Sequence, residues 1–217
     1  MSKRPVRRML ARLFLAATGW KPQGLRPEPK QFVLIAAPHT SNWDFPYLLA
    51  FAEYFEIRIS WVGKHTLFRP PLGTIMAALG GLPVRRHERG NLVHALAALF
   101  ESHAELGLVV PAEGTRERVE YWKSGFYQIA RKGNVPIVMG FLDYESKTGG
   151  FGPAFRASGD LSKDMDAIRA FYADKRARFP KQFAPPRLPE EDKRPEAALD
   201  ARANSDRSAS IRTSERS

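Results

Sequence analysis

Short unbroken apolar runs alternate along this chain with longer stretches whose apolar positions recur at helical spacing. The runs are "FVLIAA", "IRISWVG", "LPV", "LGLVVPA" and "VPIVMGFLDY", rich in β-branched residues and bounded by Gly, Pro or polar positions. That pattern predicts buried strands. Between and after them the spacing predicts helices over about 45–55, 71–79, 90–104, 122–132 and 164–179, the last closing the domain near Phe183. Strands and helices in this order predict one α/β domain, a largely parallel sheet flanked by helices. No internal repeat is visible.

Ligands of such sheets bind beyond the carboxyl ends of the strands. Two predicted strands end in polar clusters, so His39, after the first, and Glu113, after "LGLVVPA", are expected on one rim. Thr40, Ser41 and Asn42 are good N-cap residues for the following helix, whose first turn must hold Pro46. Asp44 falls in that same turn, where the helix dipole favours a carboxylate.

Composition narrows the setting. The chain has 217 residues, enough for one domain with tails, and no cysteine, which excludes disulfides, thiolate metal sites and a cysteine nucleophile and leans toward the cytosol. Its formal charge of +11 is concentrated at the N-terminus, where residues 1–30 hold eight Lys/Arg against Glu28 alone. There "MSKRPVRRMLARLFLAATGW" places Leu10, Leu13, Phe14 and Ala17 at helical spacing with arginines on the other side. The uncharged run 13–20 is far shorter than the ~20 residues of a spanning helix. The expectation is an amphipathic segment, residues 1–30, lying on an anionic membrane surface with Trp20 at headgroup level. A basic helix docked on the domain and a signal peptide with a short apolar core are the alternatives. No basic stripe with interleaved aromatics follows, so nucleic acid is not an expected partner. Residues 31–184 form the expected domain, and 185–217, rich in Pro, Ala, Ser and balanced charge, read as a disordered polar tail.

Four polar clusters carry the candidate chemistry: "HTSNWD", "GGLPVRR", "PAEGTRERVEYWKSG" and "VPIVMG". An imidazole with a carboxylate on its far nitrogen makes a general base, and a helix starting just after His39 can bring Asp44 to that position. A strand-end histidine that only hydrogen-bonds its loop is the plainer reading of the same spacing. Arg86, Arg116 and Lys123 are candidates for gripping an anion such as phosphate, and Gly114 admits close backbone approach. Each of them, taken singly, is equally a solvated loop residue. No G-x-S-x-G elbow, H-E-x-x-H pair or nucleotide-binding Gly loop is present, and Ser41 shares a turn with His39, a poor place for a nucleophile. Without a nucleophile, a base here must activate a hydroxyl or amine of the substrate itself.

Together and in this order the clusters resemble the glycerolipid acyltransferase family, in particular its lysophosphatidic acid acyltransferases. "HTSNWD" matches the H-x-x-x-x-D motif, "GGLPVRR" the second block ending in arginine, "PAEGTR" the P-E-G-T-R block, "WKSGFYQIA" the F-K-x-G segment and "VPIV" the fourth block. The chain departs from the pattern in Pro83 and the doubled Arg85-Arg86, in Ala112 between Pro111 and Glu113, and in Trp122. The resemblance implies a glycerolipid-acyltransferase-like fold and transfer of a fatty acyl chain from an acyl-CoA or acyl carrier protein thioester to the free hydroxyl of a lysophospholipid. The first acceptor to consider is 1-acylglycerol-3-phosphate, in phospholipid biosynthesis, by a peripheral enzyme on the cytoplasmic face of the membrane. It implies His39 as general base and Asp44 as its orienting partner, with Arg86, Glu113, Gly114, Thr115 and Arg116 positioning the acceptor and its phosphate. No acyl-enzyme, metal or cofactor beyond the thioester co-substrate is implied. The same motifs would serve another acceptor, such as a lyso-ornithine lipid, and a non-catalytic protein of this fold would bind lipid at the membrane surface.

Overall fold

The computed structural model describes residues 4–84 and 89–192. Seven strands form one sheet: β1 (Lys21–Gly24), β2 (Gln31–Ala36), β3 (Ile59–Lys64), β4 (Gly81–Val84), β5 (Leu106–Val110), β6 (Ile137–Asp143) and β7 (Thr148–Phe155). Their spatial order is β1-β7-β6-β2-β5-β3-β4. β2 to β6 run parallel to one another, β7 pairs antiparallel with β6, and β1 pairs parallel with β7. The sheet is therefore largely parallel, as the alternation of patterns implies. Among the described residues there are six α-helices: α1 (Arg4–Thr18), α2 (Asp44–Tyr54), α3 (Gly73–Ala78), α4 (Arg89–Ser102), α5 (Gly125–Lys132) and α6 (Leu161–Tyr172).

The period-2 alternation of strand side chains divides the core in two. On β2, Val33 and Ile35 face the layer of α4, α5 and α6, while Phe32 and Leu34 face α1 and α2. β6 repeats the division with Ile137, Met139 and Phe141 on the first side and Val138 and Leu142 on the second. The parallel strands are covered on both faces, which is why they read as continuous apolar runs.

β1 and β7 are not predicted by the pattern. "TGGFGPAF" is broken by glycine and proline, and its strand geometry comes from the ladder with β6. Its glycines have a packing role. A Cβ at Gly149 would lie 2.4 Å from the Phe51 ring of α2, and one at Gly152 equally close to the Phe171 ring of α6, so both rings rest directly on the sheet. α5 and α6 also end differently from the prediction: α5 begins at Gly125, and α6 stops at Tyr172, after which the chain leaves the helix.

α1 buries its Ala11–Leu15 side and leaves its larger apolar residues outside. Ala11 and Leu15 pack into the core against α2, whereas Val6, Met9, Leu10 and Leu13 are each more than half exposed. The arginines lie toward the domain: Arg7 and Arg8 pair with Glu53 and Glu56, and Arg12 lies over the Tyr54 ring. Trp20 corrects an expectation. It is 5% exposed, stacked on Tyr47 at 4.3 Å and edge-on to Tyr144 at 4.9 Å, so it is a core residue and not one at headgroup level.

A further difference concerns the tail. Residues 173–192 form a strap that crosses the carboxyl ends of the strands instead of leaving the domain at 185. Trp122 anchors it, its indole N–H donating to Ala184 O at 3.1 Å and its backbone N–H to Arg187 O at 2.7 Å. Leu188 is fully buried in the larger core, and the Leu188 N–H donates to Glu191 Oε2 at 2.7 Å. The rest of the expected tail lies outside the described residues.

Leu188 tests whether the strap is part of the fold. Leu188→Ala should lower stability by about 2–5 kcal/mol, as for other buried leucines, while Leu25→Ala, at an 82% exposed position, should be near neutral. Chemical denaturation of the two variants beside the wild type reads the difference.

Candidate active site

The parallel strands deliver the site at their carboxyl ends. β2 ends at Ala36 and leads to His39, β5 ends at Val110 and leads to Glu113, and β6 ends at Asp143, next to Tyr144. Asp44 opens α2, whose N-cap is Trp43, with no side-chain cap from Thr40, Ser41 or Asn42. The capping works in reverse. Asp44 Oδ2 accepts the backbone N–H groups of Thr40, at 2.9 Å, and Ser41, at 2.8 Å, and so folds the loop back over the helix start.

The same Oδ2 lies 3.2 Å from His39 Nδ1. The other carboxylate oxygen, Oδ1, accepts the Tyr144 hydroxyl at 2.6 Å. Asp44 is thus buried and held from three directions, while the His39 side chain keeps 28% of its surface open. Because Oδ2 is an acceptor, the neutral ring carries its proton on Nδ1, and Nε2 is left as the free base position. Burial and the bond to Asp44 push the Tyr144 phenol far above its ordinary range, so it keeps its proton and donates it to Asp44.

Glu113 sits behind this pair. It is 2% exposed, its Oε2 accepts the His39 backbone N–H at 2.9 Å, and its Oε1 is buried without a partner among the described residues. Desolvation, opposed by the His39 bond and aided by the nearby Asp44 charge, pushes its carboxyl up to about 8. Its side chain therefore ties the two strand ends together from inside the protein instead of facing solvent with Arg116. Gly114 next to it adopts φ +71°, and a Cβ there would lie 2.8 Å from Lys123 Cε, so the glycine makes room for the Lys123 side chain. Thr115 is exposed and accepts the Glu117 N–H at 3.4 Å. Arg116 reaches the loop of the first cluster, where it hydrogen-bonds Asn42 Oδ1. Arg86, with Arg85, lies outside the described residues.

His39, Asn42, Asp44 and Arg116 all line one cavity of about 340 Å³, which runs between α2 and the sheet. Its walls are otherwise mainly apolar, among them Phe45, Leu48 and Phe51 of α2, Trp61 of β3, and Met76. That combination, an apolar cleft with a few convergent polar groups at one end, is the usual form of a small-molecule site. Leu67 and Met76 come from the stretch "LFRPPLGTIMAALG".

Two contributors lie outside the four clusters. Tyr144 follows directly on β6, and the rule that sites gather at strand carboxyl ends pointed to that rim but not to this residue. The strap supplies the other: the Phe179 N–H donates to Thr40 Oγ1 at 3.2 Å, Gln182 with its amide nitrogen turned inward reaches Thr40 O and Arg116 O, and the Arg178 guanidinium lies 5.8 Å from the Tyr144 ring centre. No local signal in the sequence marks these, since each partner is more than thirty residues away.

Fold and site together define an α/β protein with a histidine–aspartate dyad at the end of an apolar cavity, and known proteins give that class a family. The family model described as Acyltransferase matches residues 21–139, more than half of the chain, and the chain belongs to that family. Its fold is similar to that of the crystal structure of the 1-acyl-sn-glycerophosphate (LPA) acyltransferase, PlsC, from Thermotoga maritima. The TM-score is 0.56 at 16% identity, covering 76% of each chain. No curated protein sequence gives a significant match.

Glu113 predicts a pH dependence of stability. Its carboxyl titrates near 8 in the fold and near 4.5 as a free side chain, so the folded state binds the proton more tightly. The contribution is full below about pH 4.5 and is lost as pH rises through about 8. Glu113→Gln should flatten the decline in melting temperature between pH 5 and 8.5, and a variant that melts with the wild-type pH profile would overturn the assignment.

Proposed function

We propose that this acyltransferase moves a fatty acyl chain from an acyl-CoA or acyl carrier protein thioester to the free hydroxyl of a lysophospholipid, with 1-acylglycerol-3-phosphate as acceptor, at the cytoplasmic face of a membrane. The observation that carries this reading is the placement of the His39–Asp44 dyad at the polar end of an apolar cavity, with Arg116 on the same wall. An acyl chain fits the apolar walls, and a phosphate fits the guanidinium of Arg116 at the polar end.

In this mechanism His39 Nε2 takes the acceptor hydroxyl's proton as the hydroxyl oxygen attacks the thioester carbonyl carbon. A C–O bond forms and the carbonyl electrons move onto oxygen. When the tetrahedral intermediate collapses, the C–S bond breaks and the imidazolium returns the proton to the departing sulfur. Asp44 holds the ring in the tautomer that makes this possible and stabilises the imidazolium, and Tyr144 with the two backbone N–H groups holds Asp44. Binding both substrates beside one base supplies the proximity that a direct transfer needs.

The N-terminal helix supports the membrane setting. It leaves Val6, Met9, Leu10 and Leu13 exposed, and residues 1–27 contain no acidic side chain. Such a face suits the boundary between headgroups and acyl chains of anionic lipid. Among the described residues, no helix is long and apolar enough to cross a membrane.

Purified protein offered acyl-CoA or acyl carrier protein as donor, and lysophosphatidate or lyso-ornithine lipid as acceptor, tests the reaction and names the acceptor. His39→Ala should lose at least about a hundredfold in transfer at unchanged vesicle binding; equal activity in wild type and variant would sink the mechanism. Tyr144→Phe should lose roughly tenfold in kcat, the worth of one hydrogen bond to a charged group, with little change in acceptor KM. Arg116→Ala should instead raise the acceptor KM.

A further inference from the structure

Among the described residues, seven of the ten large apolar side chains left exposed belong to just two elements. Four are on α1. The other three, Leu67, Leu72 and Ile75, are on the crossover between the parallel strands β3 and β4, a helical hairpin made of a 3-10 turn, His65–Phe68, and the short helix α3. Leu72 and Ile75 are each 55% exposed and Leu67 is 46% exposed. The hairpin lies on the α2 side of the sheet, because Leu67 and Met76 wall the same cavity as Phe45 and Phe51 of α2. α1 packs on α2 from that side as well.

The hairpin is seated by one ring. Phe68 stacks on Trp61 at 5.9 Å, and close approaches at Gly63 and Gly81 let that ring settle on β3 and β4. A Cβ at Gly73 would lie 2.0 Å from Phe68 O, so glycine is what lets α3 turn tightly over the 3-10 segment. With the Phe68 ring set on β3 and β4, Leu67, Leu72 and Ile75 are each left about half exposed. Leu67 is exposed and also lines the cavity. The apolar cavity therefore reaches the surface at the apolar tip of the hairpin.

From residue 57 to residue 87 the sequence has five Lys/Arg and no Asp or Glu, and within the hairpin Arg69 and His65 are exposed. Exposed apolar side chains beside a cation, in a stretch without acidic residues, are the chemistry of an anionic bilayer surface, where leucine and isoleucine enter the acyl layer and the cation meets phosphate. An acidic carrier protein would match the cations but would leave the three apolar side chains without a matching partner.

We propose that the helical hairpin between β3 and β4 is a second membrane contact, beside α1, and that it sets the open end of the cavity against the acyl layer so that the lipid chain passes between bilayer and cavity without crossing water. The chain-passage part rests on the acyltransferase reading of the previous section, whereas the bilayer contact is measurable without any transfer.

The test compares Leu72→Asp/Ile75→Asp, its milder counterpart Leu72→Ser/Ile75→Ser, and Leu10→Asp/Leu13→Asp on α1, all checked for wild-type melting. Partition onto vesicles of phosphatidylcholine with one-quarter phosphatidylglycerol should fall roughly tenfold or more for the hairpin aspartate pair, given two partly buried apolar side chains, and by less for the serine pair. Ile75→Trp should give a blue-shifted emission on adding the same vesicles. Transfer from a long-chain donor to vesicle-borne acceptor should fall with partition, while transfer between soluble short-chain substrates stays at the wild-type rate. Unchanged partition of the hairpin variants, an unshifted Ile75→Trp emission, or a loss seen only in acyl carrier protein binding would overturn the proposal. Lost partition in a protein whose wild type transfers no acyl group to any acceptor would uphold the contact and overturn the catalytic reading instead.

Discussion

The Asp44 carboxylate is the constraint on which the rest of this site depends. It is nearly fully buried, and its two oxygens are shared among four donors from two parts of the chain. Two backbone N–H groups bind it to the loop after β2, the imidazole binds it to the chemistry, and the Tyr144 hydroxyl binds it to the end of β6. A buried carboxylate without partners is costly, so each of these contacts also fixes its donor in place. Tyr144 in turn packs edge-on to Trp20, which closes α1 against the core. The position of the ring that faces the cavity is thus set by packing that extends to the N-terminal helix.

Two kinds of acid occupy this rim and have different work. Asp44 accepts from donors on every side, whereas Glu113 has one bond, to the His39 backbone, and one oxygen with none among the described residues. Burial without enough donors raises a carboxyl, and full donation to the other lets it serve as a fixed acceptor. Both hold His39, one at the ring and one at the backbone. The strap closes the same loops from outside, through Thr40 and Arg116, so the dyad is held from both sides.

α1 and the hairpin show why an amphipathic pattern does not state its own orientation. An apolar stripe on a helix ordinarily faces the core. Here the core takes the Ala11 and Leu15 side, the arginines find Glu53, Glu56 and Tyr54, and the larger apolar residues are left facing out. The packing of Ala11 and Leu15 on α2, with Glu53 on that helix and Glu56 just after it meeting the arginines, goes with this orientation, and periodicity in α1 alone carries no information about those partners.

The sequence alone determined the alternation of strands and helices, the parallel core of the sheet and the presence of His39, Asp44 and Glu113 on one rim, because continuous apolar runs and strand-end polar clusters are local signals. It also marked Arg116, Gly114 and Lys123 as neighbours through their shared cluster. Only the tertiary structure decided that Glu113 turns inward, that Tyr144 completes the hold on Asp44, that Trp20 is buried, and that residues 185–192 pack back on Trp122 and α6. Each of these depends on a partner tens of residues away, and β7 is a strand for the same reason, since its glycines make a poor strand sequence and a good surface for Phe51 and Phe171. Local pattern selects the elements, and the packing of distant side chains selects which of their faces and polar groups meet.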